Sequence, residues 1–194
     1  MALVRGFKTR AEELALMVRR DLGLTAFDRL DPRALAEHLG IAVMNLRDLA
    51  ACGADPSSIR HFLEVAPDEL SALMISEDGE RLIVENPRHS TGRRSSTLTH
   101  ELAHVILKHA PGAVFGMGGC RRWKQNDEDE ADWLAGVLLV PRPAALRFAR
   151  LETPVHVAAF NMGVSVPLME WRMNHTGAVA QARRELIARA PRPS

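Results

Sequence analysis

His100-Glu101-Leu102-Ala103-His104 sets two imidazoles four positions apart, with a carboxylate beside the first. On a helix, residues four apart stand one above the other, so both rings can reach a single Zn²⁺. Glu101 is rotated around the helix from the histidines and can touch a water on the metal instead of the metal itself. Zinc lowers the pKa of such a water toward neutrality, and Glu101 is placed to take its proton. The chemistry implied is metal-assisted hydrolysis, with His100 and His104 as ligands and Glu101 as the general base. Two surface histidines beside a solvated glutamate would leave the same five letters. The apolar neighbours Leu98, Val105, Ile106 and Leu107 favour a buried helix instead.

A catalytic zinc site needs a third protein ligand and an open position. A third histidine ten residues after His100 would supply one, but position 110 is Ala110, and His109 falls one residue short. His109 therefore reads as an outer partner of the site or as a histidine at the helix C-terminus. The better source lies downstream, where Asp127, Glu128, Asp129, Glu130 and Asp132 place five carboxylates in six positions. Acidic residues are favoured at a helix N-terminus by the macrodipole, which accounts for Asp127, Asp129 and Glu130. Glu128 and Asp132 are four apart and share a face with the small residues Ala131 and Ala135, which allow a second helix to come close. On that face Glu128 can ligate zinc while Asp132 accepts the free N–H of a ligating histidine and fixes its tautomer. Glu130 is the competing ligand. A Glu-x-x-x-Asp step following H-E-x-x-H is the arrangement of the glutamate-zincins.

These side chains need elements to hold them. The active helix is expected over about 90–109, beginning near Ser90 and stopped by Pro111-Gly112. The third-ligand helix is expected over about 127–140, ending at Pro141. Upstream, helical spacing of Ala11, Leu14, Met17 and Leu22 predicts a helix over about 9–23. Asp31-Pro32 opens a second one that closes at Gly40. Ile41–Leu46 has strand composition. Ser71–Ser76 and Arg81–Glu85 form a hairpin, with Asp78-Gly79 supplying the positive φ angles of a tight turn. Two or three short helices follow from Pro154 to Ala190. The fold class is α+β, a small sheet of about three strands packed on helices.

Taken together, these blocks resemble the ImmA/IrrE family of metallo-endopeptidases. The resemblance runs from Leu22 to Val43, through the strand ending Ile83-Val84-Glu85-Asn86, and from Arg93 to His109. It closes on Glu128-x-x-Ala131-Asp132-Trp133-Leu134-Ala135-Gly136 and Leu138-Leu139-Val140-Pro141. It implies a zincin-like minimal peptidase domain over 1–149 and a non-catalytic helical module over 150–194. It also implies one catalytic Zn²⁺ on His100, His104 and Glu128, with Glu101 as base, and an Xre-type helix-turn-helix repressor as substrate. The protein would then be an antirepressor in a stress-response or mobile-element switch. Two other readings stay open: binding the repressor without cutting it, and contacting DNA through the C-terminal helices.

Composition narrows these choices. With 25 basic against 24 acidic side chains the formal charge is +1, so no global basic field draws the chain to nucleic acid or membranes. From Arg150 onward six arginines face three glutamates, yet the second helix of this turn-containing stretch offers Val166, Pro167, Leu168, Met169 and Trp171, which suit packing better than base readout. Cys52 and Cys120 make no disulfide framework, and Met1–Arg10 lacks the apolar segment of a signal peptide, so a cytoplasmic location is expected. Cys120, beside Arg121-Arg122, is weighed as a redox latch on the metal against an ordinary loop cysteine. There is no tyrosine, so an oxyanion would need the metal, backbone, or a donor such as His109, His89 or Arg93.

Overall fold

The structure is a computed structural model that describes residues 3–77, 80–109 and 125–189. The Asp78-Gly79 turn, the Pro111-Gly112 stop and Cys120 lie outside the described residues. Helix α1 (Phe7–Asp21) buries Phe7, Ala11 and Ala15 along one stripe. Helix α2 (Pro32–His38) starts as its sequence demands, with Asp31 accepting from the Arg33 N–H at 2.9 Å and Pro32 in the first turn. Strands β1 (Ala42–Asn45), β2 (Ala72–Glu77) and β3 (Glu80–Glu85) form a mixed sheet in the order β1-β3-β2, with β1 parallel and β2 antiparallel to β3.

Both faces of the sheet are covered, which the alternation along β3 makes possible. Ile83 points into the main core with Met74 of β2. Leu82 and Val84 point the other way, onto Leu46, Ile59, Phe62 and Leu63. That second layer comes from residues 46–70, which fold into two 3₁₀ turns, the five-residue helix α3 (Pro56–Arg60) and a π-helical turn at His61–Val65. No periodicity announces these pieces, because each is too short to show a repeat. Asn86, fully buried, pins the layer to the end of β3 by donating from Nδ2 to the carbonyls of Phe62, Leu70 and Pro67 at 2.9–3.2 Å.

Helices α4 (Thr91–Ile106) and α5 (Gln125–Leu139) pack against each other through Leu98, Leu102 and Ala103 on one side and Ala131, Leu134 and Ala135 on the other. Helices α6 (Arg142–Arg150), α7 (Val155–Met162), α8 (Val166–His175) and α9 (Ala178–Arg189) follow. The main core continues without a break from Phe7 through Leu138 to Met162, Met169, Met173 and Ala178, and residues 149 and 150 close the packed helix α6. The architecture is α+β, a small three-stranded mixed sheet with helices around it.

Two buried arginines hold the C-terminal end of α5. Arg19 of α1 donates to the Leu138 carbonyl at 2.5 Å, and Arg172 of α8 donates to the Val140 carbonyl at 2.7 Å. Both are fully buried and meet carbonyls that a helix end leaves unpaired. Arg172 is balanced by Glu12 at 2.6 Å. The other contacts of α8 demand small residues. A Cβ on Gly136 would lie 2.7 Å from the Trp171 ring, and one on Gly92 would lie 2.9 Å from the Ser165 backbone nitrogen. The C-terminal helices thus grip both α4 and α5.

Candidate metal centre

Helix α4 is set by its own first turn and by Glu85. Ser90 accepts from the Arg93 N–H at 3.4 Å as N-cap. Glu85, nearly buried at the end of β3, pairs with Arg33 of α2 and with Arg94 of α4, the latter at 2.5 Å. This three-way contact fixes the base of α4 against the sheet. Two turns further along, His100 and His104 rise on one face, their ring centroids 4.7 Å apart.

The two Nε2 atoms lie 3.0 Å apart, and the Glu128 carboxylate of α5 completes a triangle. Its Oε2 is 3.2 Å from His100 Nε2, and its Oε1 is 3.6 Å from His104 Nε2. A zinc ion about 2.0–2.2 Å from each of three tetrahedral ligands spaces them roughly 3.3–3.6 Å apart. The observed separations run from slightly below that spacing to its upper limit, and two imidazoles with one carboxylate are a donor set zinc accepts. His100, His104 and Glu128 are therefore a group that could hold a metal ion.

Each histidine is held from behind, and differently. His100 Nδ1 lies 2.8 Å from Asp132 Oδ1, one turn along α5 from Glu128. Burial alone pushes the His100 pKa down, but the Asp132 hydrogen bond and the charges of Asp132, Glu101 and Glu128 outweigh it and raise the pKa above its ordinary value. His104, almost fully buried, has its Nδ1 2.9 Å from Nδ1 of His109. His109 Nε2 in turn lies 3.6 Å from Glu130 Oε2. Glu130 thus faces away from the triangle, toward His109, while Glu128 faces into it. Glu101 is 6% exposed, inside the helix packing.

The placement of His109 depends on a feature its sequence does not display. The helix ends at Ile106, and Lys108 adopts φ +57°, the left-handed conformation normally left to glycine or asparagine. The His109 N–H then donates to the His104 carbonyl and the Lys108 N–H to the Val105 carbonyl, both at 3.0 Å. This paired closure turns the chain back so that the His109 ring lies 5.0 Å from that of His104. A left-handed lysine costs about 1–2 kcal/mol, the kind of local strain found beside functional groups.

The remaining candidates are engaged elsewhere. Arg93 donates to Asp68 at 2.5 Å and to Ser71 at 2.9 Å, and His89 Nε2 lies 3.4 Å from both Ser71 Oγ and the Leu70 carbonyl. Arg93 is also seven residues below His100, about 10 Å along the helix. In α8, Met169, Arg172 and Met173 are buried. Sequence reasoning did not single out Arg33, Glu85 and Arg94, whose contact depends on three elements far apart in the chain. Among the described residues no helix is long and apolar enough to cross a membrane.

Searches of curated proteins and of solved structures returned no significant match. A family profile does match, over residues 36–173, more than two thirds of the chain, and takes in the sheet, both histidines, Glu128 and the grip of α8 on α5. The chain belongs to the peptidase M78 family, described as the IrrE N-terminal-like domain, and is a metallopeptidase-family protein.

Proposed function

We propose that the protein is a zinc-dependent endopeptidase that cuts an Xre-type helix-turn-helix repressor in the cytoplasm and so acts as an antirepressor. The observation that carries the hydrolytic reading is the convergence of His100 Nε2, His104 Nε2 and the Glu128 carboxylate at 3.0–3.6 Å, with Glu101 on the same helical turn. The repressor as substrate rests on the family resemblance of the sequence. His100, His104 and Glu128 would hold the ion, which supplies Lewis acidity at the scissile carbonyl and a water that ionises near neutral pH.

The protein's own groups do the rest. Asp132 accepts the Nδ1–H of His100, keeping the Nε2 lone pair turned toward the ion. His104 donates its Nδ1–H to Nδ1 of His109, which leaves the His109 Nε2–H facing Glu130 and fixes both tautomers. Glu101 takes the proton of the attacking water and delivers it to the departing amine nitrogen. Its carboxylate is shielded from bulk water, so the proton stays in the site. The outer edge of β2 offers backbone N–H and C=O groups to which an extended substrate can add as a strand.

Glu101→Gln tests the reading. The variant is expected to keep its zinc, read by elemental analysis, and to lose at least about 100-fold in peptide-bond cleavage, the range of general-base contributions. Full derepression by this variant in a reporter strain would show that the protein displaces its target without cutting it.

A further inference from the structure

The surface around the C-terminal end of α6 carries a feature that the metal centre does not use. Three adjoining depressions, of about 330, 410 and 280 Å³, wrap this end of the helix. The first lies between α6 and α9, and the other two lie between α6 and Phe27. They share walls: Phe148 and Thr153 between the first and third, Phe27, Arg147 and Leu151 between the second and third, and Arg150 between the first and second. Four large apolar side chains stand exposed along this track: Leu151 at 65%, Leu186 at 60%, Phe27 at 46% and Val179 at 45%. Exposed apolar residues are ordinary when scattered, but a contiguous track of them marks an interaction surface.

The charge of the rim identifies what would cover it. Arg147, Arg150 and Arg183 line the track, against the single carboxylate of Glu152. Arg150 is neutralised by Glu185 through two contacts of 2.8 Å. Arg147 lies over the Phe27 ring at 5.0 Å, and among the described residues neither it nor Arg183 has a carboxylate partner. A floor of Leu, Phe and Val between unpaired guanidinium groups complements an amphipathic helix with an apolar face flanked by Asp or Glu. Nucleic acid fits less well, because phosphates would have to cover the exposed Leu151 and Phe27. The nine residues of α6 span about 14 Å, room for two to three turns of a docked helix.

We infer that this track is a docking site for an acidic amphipathic helix of a partner protein. Its lining residues are Phe27 and residues between 143 and 186, and they include none of His100, Glu101, His104 or Glu128. An occupant there leaves His100, His104 and Glu128 accessible, so the site is a second point of attachment and does not block the first.

The test uses the full chain and two labelled 18-residue peptides with leucines at helical spacing, one flanked by glutamates and one by lysines, read by fluorescence anisotropy at low salt. The glutamate peptide is expected to bind at least tenfold tighter. R147E/R183E, both at exposed positions, should reverse that preference, and L151A should weaken binding several-fold. Equal binding of the two peptides, or an unchanged preference in R147E/R183E, overturns the proposal. So does a random-sequence DNA duplex that binds and is lost in R147E/R183E, or a dimer in sedimentation that L151A dissociates.

Discussion

Replacing Glu128 and Glu130 separately by glutamine distinguishes two carboxylates that stand two residues apart on one helix. Glutamine preserves shape and removes charge, so folding should survive, which thermal melts can verify. Glu128 lies 3.2 and 3.6 Å from the two Nε2 atoms, whereas among the described residues Glu130 meets the site through His109, at 3.6 Å. Changes to groups that merely orient a ligand lower metal affinity by about 10–100-fold, roughly 1.4–2.8 kcal/mol. Glu130→Gln belongs at the low end of that range or below it, because its effect passes through two imidazoles and a long contact. Glu128→Gln removes a ligand and its negative charge, so its loss should exceed the top of the range. The expected result is a Kd for zinc at least about tenfold weaker in Glu128→Gln than in Glu130→Gln, measured by competition with a chelating dye. Equal losses would refute the assignment and with it the geometric argument, since a carboxylate turned away from the triangle would be ligating.

Three further outcomes follow from the fold. Arg172→Ala leaves the Val140 carbonyl without its donor and takes the guanidinium from the half-buried Glu12, and should cost about 1–3 kcal/mol in urea unfolding, whereas Arg172→Met refills the space but leaves both groups unpaired by Arg172 and should recover only part of that loss. Lys108→Gly relieves a left-handed lysine and should raise stability by about 0.5–1 kcal/mol with zinc affinity unchanged, because the turn that carries His109 is retained. Glu185, bonded by Arg150 and Gln181, has its pKa lowered from 4.5 to about 2. Its contribution to stability is therefore present above about pH 4.5 and fades as the pH falls toward 2, and Glu185→Gln should flatten that limb of a pH–stability profile.

Local rules were legible wherever one element carried its own signal. Asp31-Pro32 and Ser90 start their helices as capping chemistry requires, and the strand alternation of 81–85 sorts Ile83 from Leu82 and Val84. The acidic cluster was harder, because macrodipole preference and metal ligation both ask for carboxylates at a helix start. Helical spacing separated Glu128 and Asp132 from their neighbours, but it left the direction of Glu130 open. Residues 46–70 gave no readable period, since turns and helices of three to seven residues complete at most about two repeats, whereas the nine-residue α6 was simply not singled out from the sequence.

Sequence alone therefore determined what is local: the H-E-x-x-H face, because one helix carries both histidines, and the partnership of Glu128 with Asp132, because they are one turn apart. Tertiary structure decided what depends on approach between distant segments. It set α5 close enough to α4 for Glu128 to meet both imidazoles. It turned His109 back onto His104 through a lysine with a positive φ angle. It also made the C-terminal helices part of the same core, because Gly92 and Gly136 let α8 and its preceding turn touch both site helices while Arg172 holds the end of α5. Spacing in one chain specifies which residues can share a face. Only packing specifies which faces meet.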